Sequence, residues 1–126
     1  EQIIISNADL LKSRVHNLGR MPERRVLFTL GVTYETPRVK LERIPALVES
    51  VINDTPDTRF VFCVFRHFGD SALQFEVVYY VALEAGAKYL EILNSVNYGI
   101  HAAFEREGIS FAYPTRTVVL RQQEPA

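Results

Sequence analysis

The stretch RFVFCVFRHFGDSALQFEVVYYVAL, residues 59–83, decides how the rest of the chain can be arranged. Two runs rich in aromatic and β-branched residues, RFVFCVFRHF and ALQFEVVYYVAL, flank the short turn GDS, which is the pattern of a β-hairpin. In the second run Leu73, Phe75, Val77, Tyr79 and Val81 fall on one side of a pleated strand, while Gln74, Glu76 and Tyr80 fall on the other. A hairpin with one apolar face must bury it, and the sequence on either side supplies the cover.

Upstream, RRVLFTLGVTY (24–34) alternates in the same way. Val26, Phe28, Leu30, Val32 and Tyr34 share one face of a half-buried strand; Arg25, Leu27, Thr29, Gly31 and Thr33 share the other. The ETP that follows predicts a helix with Thr36 as N-cap and Pro37 at its first position. Its apolar stripe is Leu41, Ile44, Val48, Val51 and Ile52. Pro45 removes the hydrogen bond to the Leu41 carbonyl, so a kink or a restart is expected there. Downstream of the hairpin, Tyr89, Leu93, Val96, Ile100, Ala103 and Phe104 recur at helical spacing, with Gly108 placed to cap the C-terminus. ISFA then predicts a fourth strand. The order β-α-β-β-α-β is the split βαβ, or ferredoxin-like, arrangement of the α+β class, each helix covering one face of an antiparallel sheet.

The two ends are surplus to that scheme. EQIII begins with a β-branched triplet, Ile3 to Ile5, that reads as a strand belonging to a longer protein; VHN (15–17) reads as a further short strand. The expected division is therefore 1–22 as the end of a preceding β-rich (Sm-like) domain, 23–113 as the α/β domain, and 114–126 as a terminal strand and tail. That last strand, Thr117, Val118, Val119, Leu120 and Arg121, follows Tyr113 and Pro114, and nothing after it in the chain covers its backbone. Either YPTR is a turn that folds it back on Gly108 to Ala112, or it pairs with another chain.

The totals exclude several functions. With 126 residues, one core is expected, and a formal charge of −1 offers no basic excess for nucleic acid. A single cysteine, Cys63, forms no internal disulfide and suits a reducing compartment. The longest apolar run, Val77 to Leu83, is far short of the roughly 20 residues of a membrane-spanning helix. His16, His67 and His101 have no metal-ligand spacing. Cys63 and His67 are on one strand, about 13 Å apart at roughly 3.3 Å per residue, too far for a catalytic dyad. GDSAL lacks the closing glycine of a nucleophile elbow. Tyr80, with Glu76 beside it, does not make the signature of an RNA-binding sheet, and GVTYETPRVK offers no glycine-rich anion cradle after the first strand. No enzyme activity, cofactor or metal is expected.

Taken together, IISNADLL with VHN, RRVLFTLGVTYETP, FRHFGDSALQFEVVYYV and EGISFAYPTRTVVL resemble the cytoplasmic C-terminal region of the small-conductance mechanosensitive channel (MscS) family, over essentially the whole chain. Ser6 stands in the place of the proline in the family's more usual Pro-Asn-Ser. The resemblance implies a homo-oligomer of seven subunits forming a hollow vestibule on the cytoplasmic side of a cell-membrane pore, whose transmembrane helices lie outside this chain. Lateral openings would pass ions and small solutes. It also implies that Thr117 to Arg121 leave at the Tyr113–Pro114 turn and join neighbours' strands in a small closed barrel, which removes the exposed edge. Lys12, Arg14, Arg20, Arg24 and Arg25 form the sharpest cluster of charge. It is either a solvated strand end or a vestibule surface that concentrates anions. The competing expectation, from another class, is a regulatory domain that dimerises around a small molecule.

Overall fold

The structure, a computed structural model, describes residues 22–114. In order they form strand β1 (Glu23–Val32), the short helix α1 (Arg38–Leu41), α2 (Ile44–Asn53), β2 (Thr58–Phe68), β3 (Leu73–Ala82), a 3-10 turn (Leu83–Lys88) and α3 (Tyr89–Glu107). The class is α+β with a small antiparallel sheet. The hairpin forms as its alternation dictates, closed by the Gly69 amide donating to the Ala72 carbonyl at 2.7 Å. β3 lies in the centre, antiparallel to β1 on one side and β2 on the other.

Leu73, Phe75, Val77, Tyr79 and Val81 are all buried, as the alternation of β3 requires. Against them pack Ile44, Val48 and Ile52 of α2 and Ile92, Val96, Ile100, Ala103 and Phe104 of α3, in a single core cluster. Both helices thus cover the same face of the sheet, rather than one face each. They lie so close that a Cβ on Gly99 of α3 would stand 2.6 Å from the Val51 Cγ1 of α2. The other face carries no helix among the described residues. Val78 is nevertheless 1% exposed there, because Leu27 and Phe62 flank it in register on the neighbouring strands.

Three local expectations change. Pro37, not Thr36, occupies the cap position of α1, while Thr36 turns back, its amide donating to the Thr33 carbonyl at 3.1 Å. The chain restarts at α2 with Pro45 in its first turn, where a missing amide hydrogen costs nothing. The expected fourth strand, Gly108 to Ala112, is reduced to a single antiparallel bridge between Val32 and Phe111. Gly108 caps α3 in the left-handed conformation (φ 71°), so only Ile109 to Ala112 remain before Tyr113 and Pro114. Within that span the Thr33 amide donates to the Ser110 carbonyl at 3.2 Å and the Ala112 amide to the Gly31 carbonyl at 2.9 Å. Beside these two bonds, Phe111 stacks on Phe104 at 4.8 Å.

Candidate functional site

Two regions carry the residues singled out from the sequence: the start of β1 and the segment after Phe111. Lys12, Arg14 and Arg20 lie outside the described residues, as do Thr117 to Arg121 and the preceding region up to residue 21.

At the start of β1, neighbouring residues point to opposite faces. Arg24 lies on the helix side, its guanidinium 4.4 Å from the centre of the Tyr89 ring at the head of α3. Arg25, opposite Tyr80 in the register, belongs to the helix-free face. The two arginines therefore do not form one patch. On that open face Arg59 of β2 makes a two-pronged ion pair with Glu23, at 2.7 and 3.0 Å, and lies 4.5 Å from the centre of the Tyr80 ring. The hydrogen bond to Glu23 is the main reason the Arg59 guanidinium is held above its ordinary pKa. This Glu23–Arg59–Tyr80 group escaped the sequence reading, since its members are 36 and 21 residues apart. Alternation puts each on the open face; strand order alone brings them together.

Along the same face Arg66 pairs with Glu76 at 3.2 Å. The open face is thus a row of paired charges around an apolar centre of Leu27, Val78 and Phe62, with Gln74 and His67 at its far end. Each of these pairs is close to neutral and by itself contributes no strong field of either sign.

Cys63 and His67 are separated by more than their spacing. Cys63 sits opposite Val77 and is buried, whereas His67 sits opposite Gln74. The bulge between Phe65 and His67 switches the strand's faces, so the two side chains belong to opposite sides of the sheet. Burial pushes the Cys63 thiol up to about 12, which keeps it protonated and unreactive at neutral pH. Among the described residues no three His, Cys, Asp or Glu side chains stand close enough to hold a metal ion. No described helix is long and apolar enough to cross a membrane.

After Phe111, Tyr113 is 76% exposed and neither it nor Pro114 belongs to a strand. An open hollow of about 700 Å³ lies here, between the β2–β3 turn and residues 112–114, bordered by Thr29, His67, Asp70, Gln74, Tyr113 and Pro114. The Tyr34 hydroxyl donates to the Gly69 carbonyl and ties the β1 turn to the hairpin. α1 and the loop after it hold the other side: Lys40 Nζ donates to the Gly108 carbonyl at 3.2 Å, and Arg43 pairs with Glu107 at 2.9 Å. Two cations at the C-terminus of α3 suit the negative end of its dipole.

Residues 26–111 match the family described as "Mechanosensitive ion channel MscS, C-terminal". The chain is 38% identical over 121 residues to the small-conductance mechanosensitive channel MscMJ of Methanocaldococcus jannaschii, covering 95% of this chain and 35% of that one. To the large-conductance channel MscMJLR of the same organism it is 31% identical over 127 residues, covering 97% and 35%. The chain thus spans about a third of the length of these relatives. Among solved structures it is similar in fold to Helicobacter pylori MscS in its closed state, with a TM-score of 0.62, 16% identity, and coverage of 85% of this chain and 41% of that one.

Proposed function

Because the chain belongs to the mechanosensitive ion channel MscS family, carrying its C-terminal domain at residues 26–111, we propose that it is the vestibule and assembly region of a tension-gated channel subunit. The observation that carries this reading is the extent of the match, which runs from β1 to the Phe111 bridge and so takes in nearly all of the described fold. The strand order β1-β3-β2, with Phe111 bridging to the far edge of β1, supports a split βαβ fold whose last strand is cut to one bridge.

In this reading residues 1–22 end a preceding β-rich domain, 23–113 form the wall of a cytoplasmic vestibule, and 114–126 carry the strand Thr117 to Arg121 into a barrel shared by seven copies. The pore and the tension-sensing helices lie outside this chain in the complete protein, and the region performs no covalent chemistry and needs no cofactor. Pro114 supports the exit, since it cannot donate to a ladder on the β1 edge. The clamp of Lys40 and Arg43 on α3 fixes the point from which each copy extends its strand.

For the basic cluster, the geometry supports different roles for its two described members. Arg24 is engaged with Tyr89 and acts in the fold; Arg25, on the helix-free face, is the better candidate for contact with permeating ions. The test is electrical. Complete protein in a membrane patch should give currents evoked by suction, and Arg25→Glu should lower the permeability of anions relative to cations. Suction-evoked currents absent altogether, with a dimer in solution that a metabolite stabilises thermally, would replace this reading with the small-molecule regulator. An unchanged permeability ratio with intact currents would remove only the role of Arg25.

A further inference from the structure

The hollow of about 700 Å³ at the end of the helix-free face is framed by backbone bonds on two sides. On one side the β2–β3 turn is closed by the Gly69 amide on the Ala72 carbonyl at 2.7 Å, and the Tyr34 hydroxyl donates to the Gly69 carbonyl. On the other, the Ala112 amide donates to the Gly31 carbonyl at 2.9 Å and ties residue 112 to β1. Two glycines keep the space clear. A Cβ on Gly31 would stand 3.0 Å from the Ala72 Cβ, and one on Gly69 would stand 2.8 Å from the Gln74 Nε2 and push that carboxamide aside. The volume falls within the range of small-molecule sites, and walls fixed in advance lower the ordering cost of binding.

The lining narrows the kind of molecule that fits. Thr29, Asp70, Ser71, Gln74 and Tyr113 border the hollow, and their side chains make no hydrogen bond or salt bridge with other described residues. Their polar atoms are therefore available to a ligand. No Lys or Arg borders the hollow, and His67 is its one basic side chain. An anionic ligand would meet the Asp70 carboxylate with no permanent cation to offset the repulsion. A bare metal ion is no better suited, since no three His, Cys, Asp or Glu side chains stand together among the described residues. What the wall offers is a carboxylate, the oxygens of Thr29, Ser71 and Gln74 as further acceptors, and two aromatic rings. Phe68 is 72% and Tyr113 76% exposed, so both rings have area left to cover. Several acceptors suit the three N–H donors of a primary ammonium, and aromatic rings suit its charge and the apolar group that carries it.

We propose that this hollow binds a small organic cation, a primary ammonium on an apolar or aromatic group, with Asp70 as its counter-ion and Phe68 and Tyr113 as its apolar walls. The site lies within one chain, so it stands whether or not copies assemble. It is open to solvent, and an ion pair screened in this way contributes little alone. Affinity comes from the ion pair, the neutral acceptors and the covered rings together, and a dissociation constant on the order of 1 mM is expected.

The experiment is isothermal titration of the complete protein in mild detergent at about pH 8, with the detergent blank subtracted. Benzylammonium, benzyl alcohol and benzoate, three probes of similar shape, separate the ligand classes by charge. Benzylammonium is expected to bind saturably, about ten-fold more tightly than benzyl alcohol, with benzoate weaker still. Asp70→Asn should weaken benzylammonium about five-fold, and Tyr113→Leu, which keeps an apolar side chain but loses the ring, about three-fold. Gly69→Ala, which displaces the Gln74 carboxamide without changing charge, should weaken it as well. Asp54→Asn, the same loss of charge just after α2, should leave binding unchanged. Circular dichroism checks that each variant keeps the native fold. Absence of saturable benzylammonium binding overturns the proposal. So does equal or tighter binding of benzyl alcohol or benzoate, or benzylammonium binding that folded Asp70→Asn or Tyr113→Leu leaves unchanged.

Discussion

Gly99 and Cys63 show how single positions are fixed by what lies across from them. A Cβ on Gly99 would sit 2.6 Å from Val51, a separation that cannot be tolerated without moving one helix or turning a β-branched side chain. Gly99→Ala gains up to about 1 kcal/mol in helix propensity but overpacks the contact by about 1–3 kcal/mol, so a net loss of roughly 1 kcal/mol is expected in urea unfolding. Adding Val51→Ala to it should restore part of that loss, which a merely solvent-exposed glycine would not show. For Cys63 the sign follows from burial. The folded thiol holds its proton up to about 12 while the unfolded one releases it near 9.0. Its contribution to stability is intact below pH 9 and is lost as pH rises from there toward 12. Thiol labelling at pH 7 should accordingly be slow in the native protein and fast in urea, and rapid native labelling would contradict the buried position.

At the scale of elements, α3 depends on how it ends. Gly108 adopts φ 71°, and a Cβ there would meet Lys40 Nζ at 3.0 Å. Gly108→Ala should cost about 1–2 kcal/mol from the left-handed conformation alone, measurable as a lower urea midpoint with an unchanged slope. The sheet's second face makes a different demand. Val78 is 1% exposed although it alternates with the core residues, because Leu27 and Phe62 close over it. Val78→Asp should therefore prevent folding as severely as the same change in the core, while Glu76→Gln, which removes only the half-exposed pair with Arg66, should shift stability by less than about 1 kcal/mol. Circular dichroism of the two variants distinguishes them. Period-two alternation made the core face of β3 readable; the burial of Val78 was not, because it depends on which strands became its neighbours.

For the molecule as a whole, the prediction concerns the tail. Removing residues 114–126 should leave the fold of 22–113 intact, since the last described tie of this segment to the domain is the Ala112 amide on the Gly31 carbonyl, and should reduce the mass of the complete protein's assembly in light scattering. Unchanged assembly would assign the tail to its own subunit. The hairpin, the apolar stripes of both long helices, the restart at Pro45 and the Gly108 cap were all determined by the sequence itself, because each follows from spacing and backbone chemistry within about a dozen residues. The family, too, was legible there. Four things waited for the tertiary structure: the stacking of both helices on one face, the shrinkage of the fourth strand to one bridge, the parting of Arg24 from Arg25 into different surroundings, and the ion pair of Glu23 with Arg59. These depend on strand order, bulges and close approach between distant segments, which no local pattern encodes, because a side chain's neighbours across a sheet are chosen only when the whole sheet is assembled.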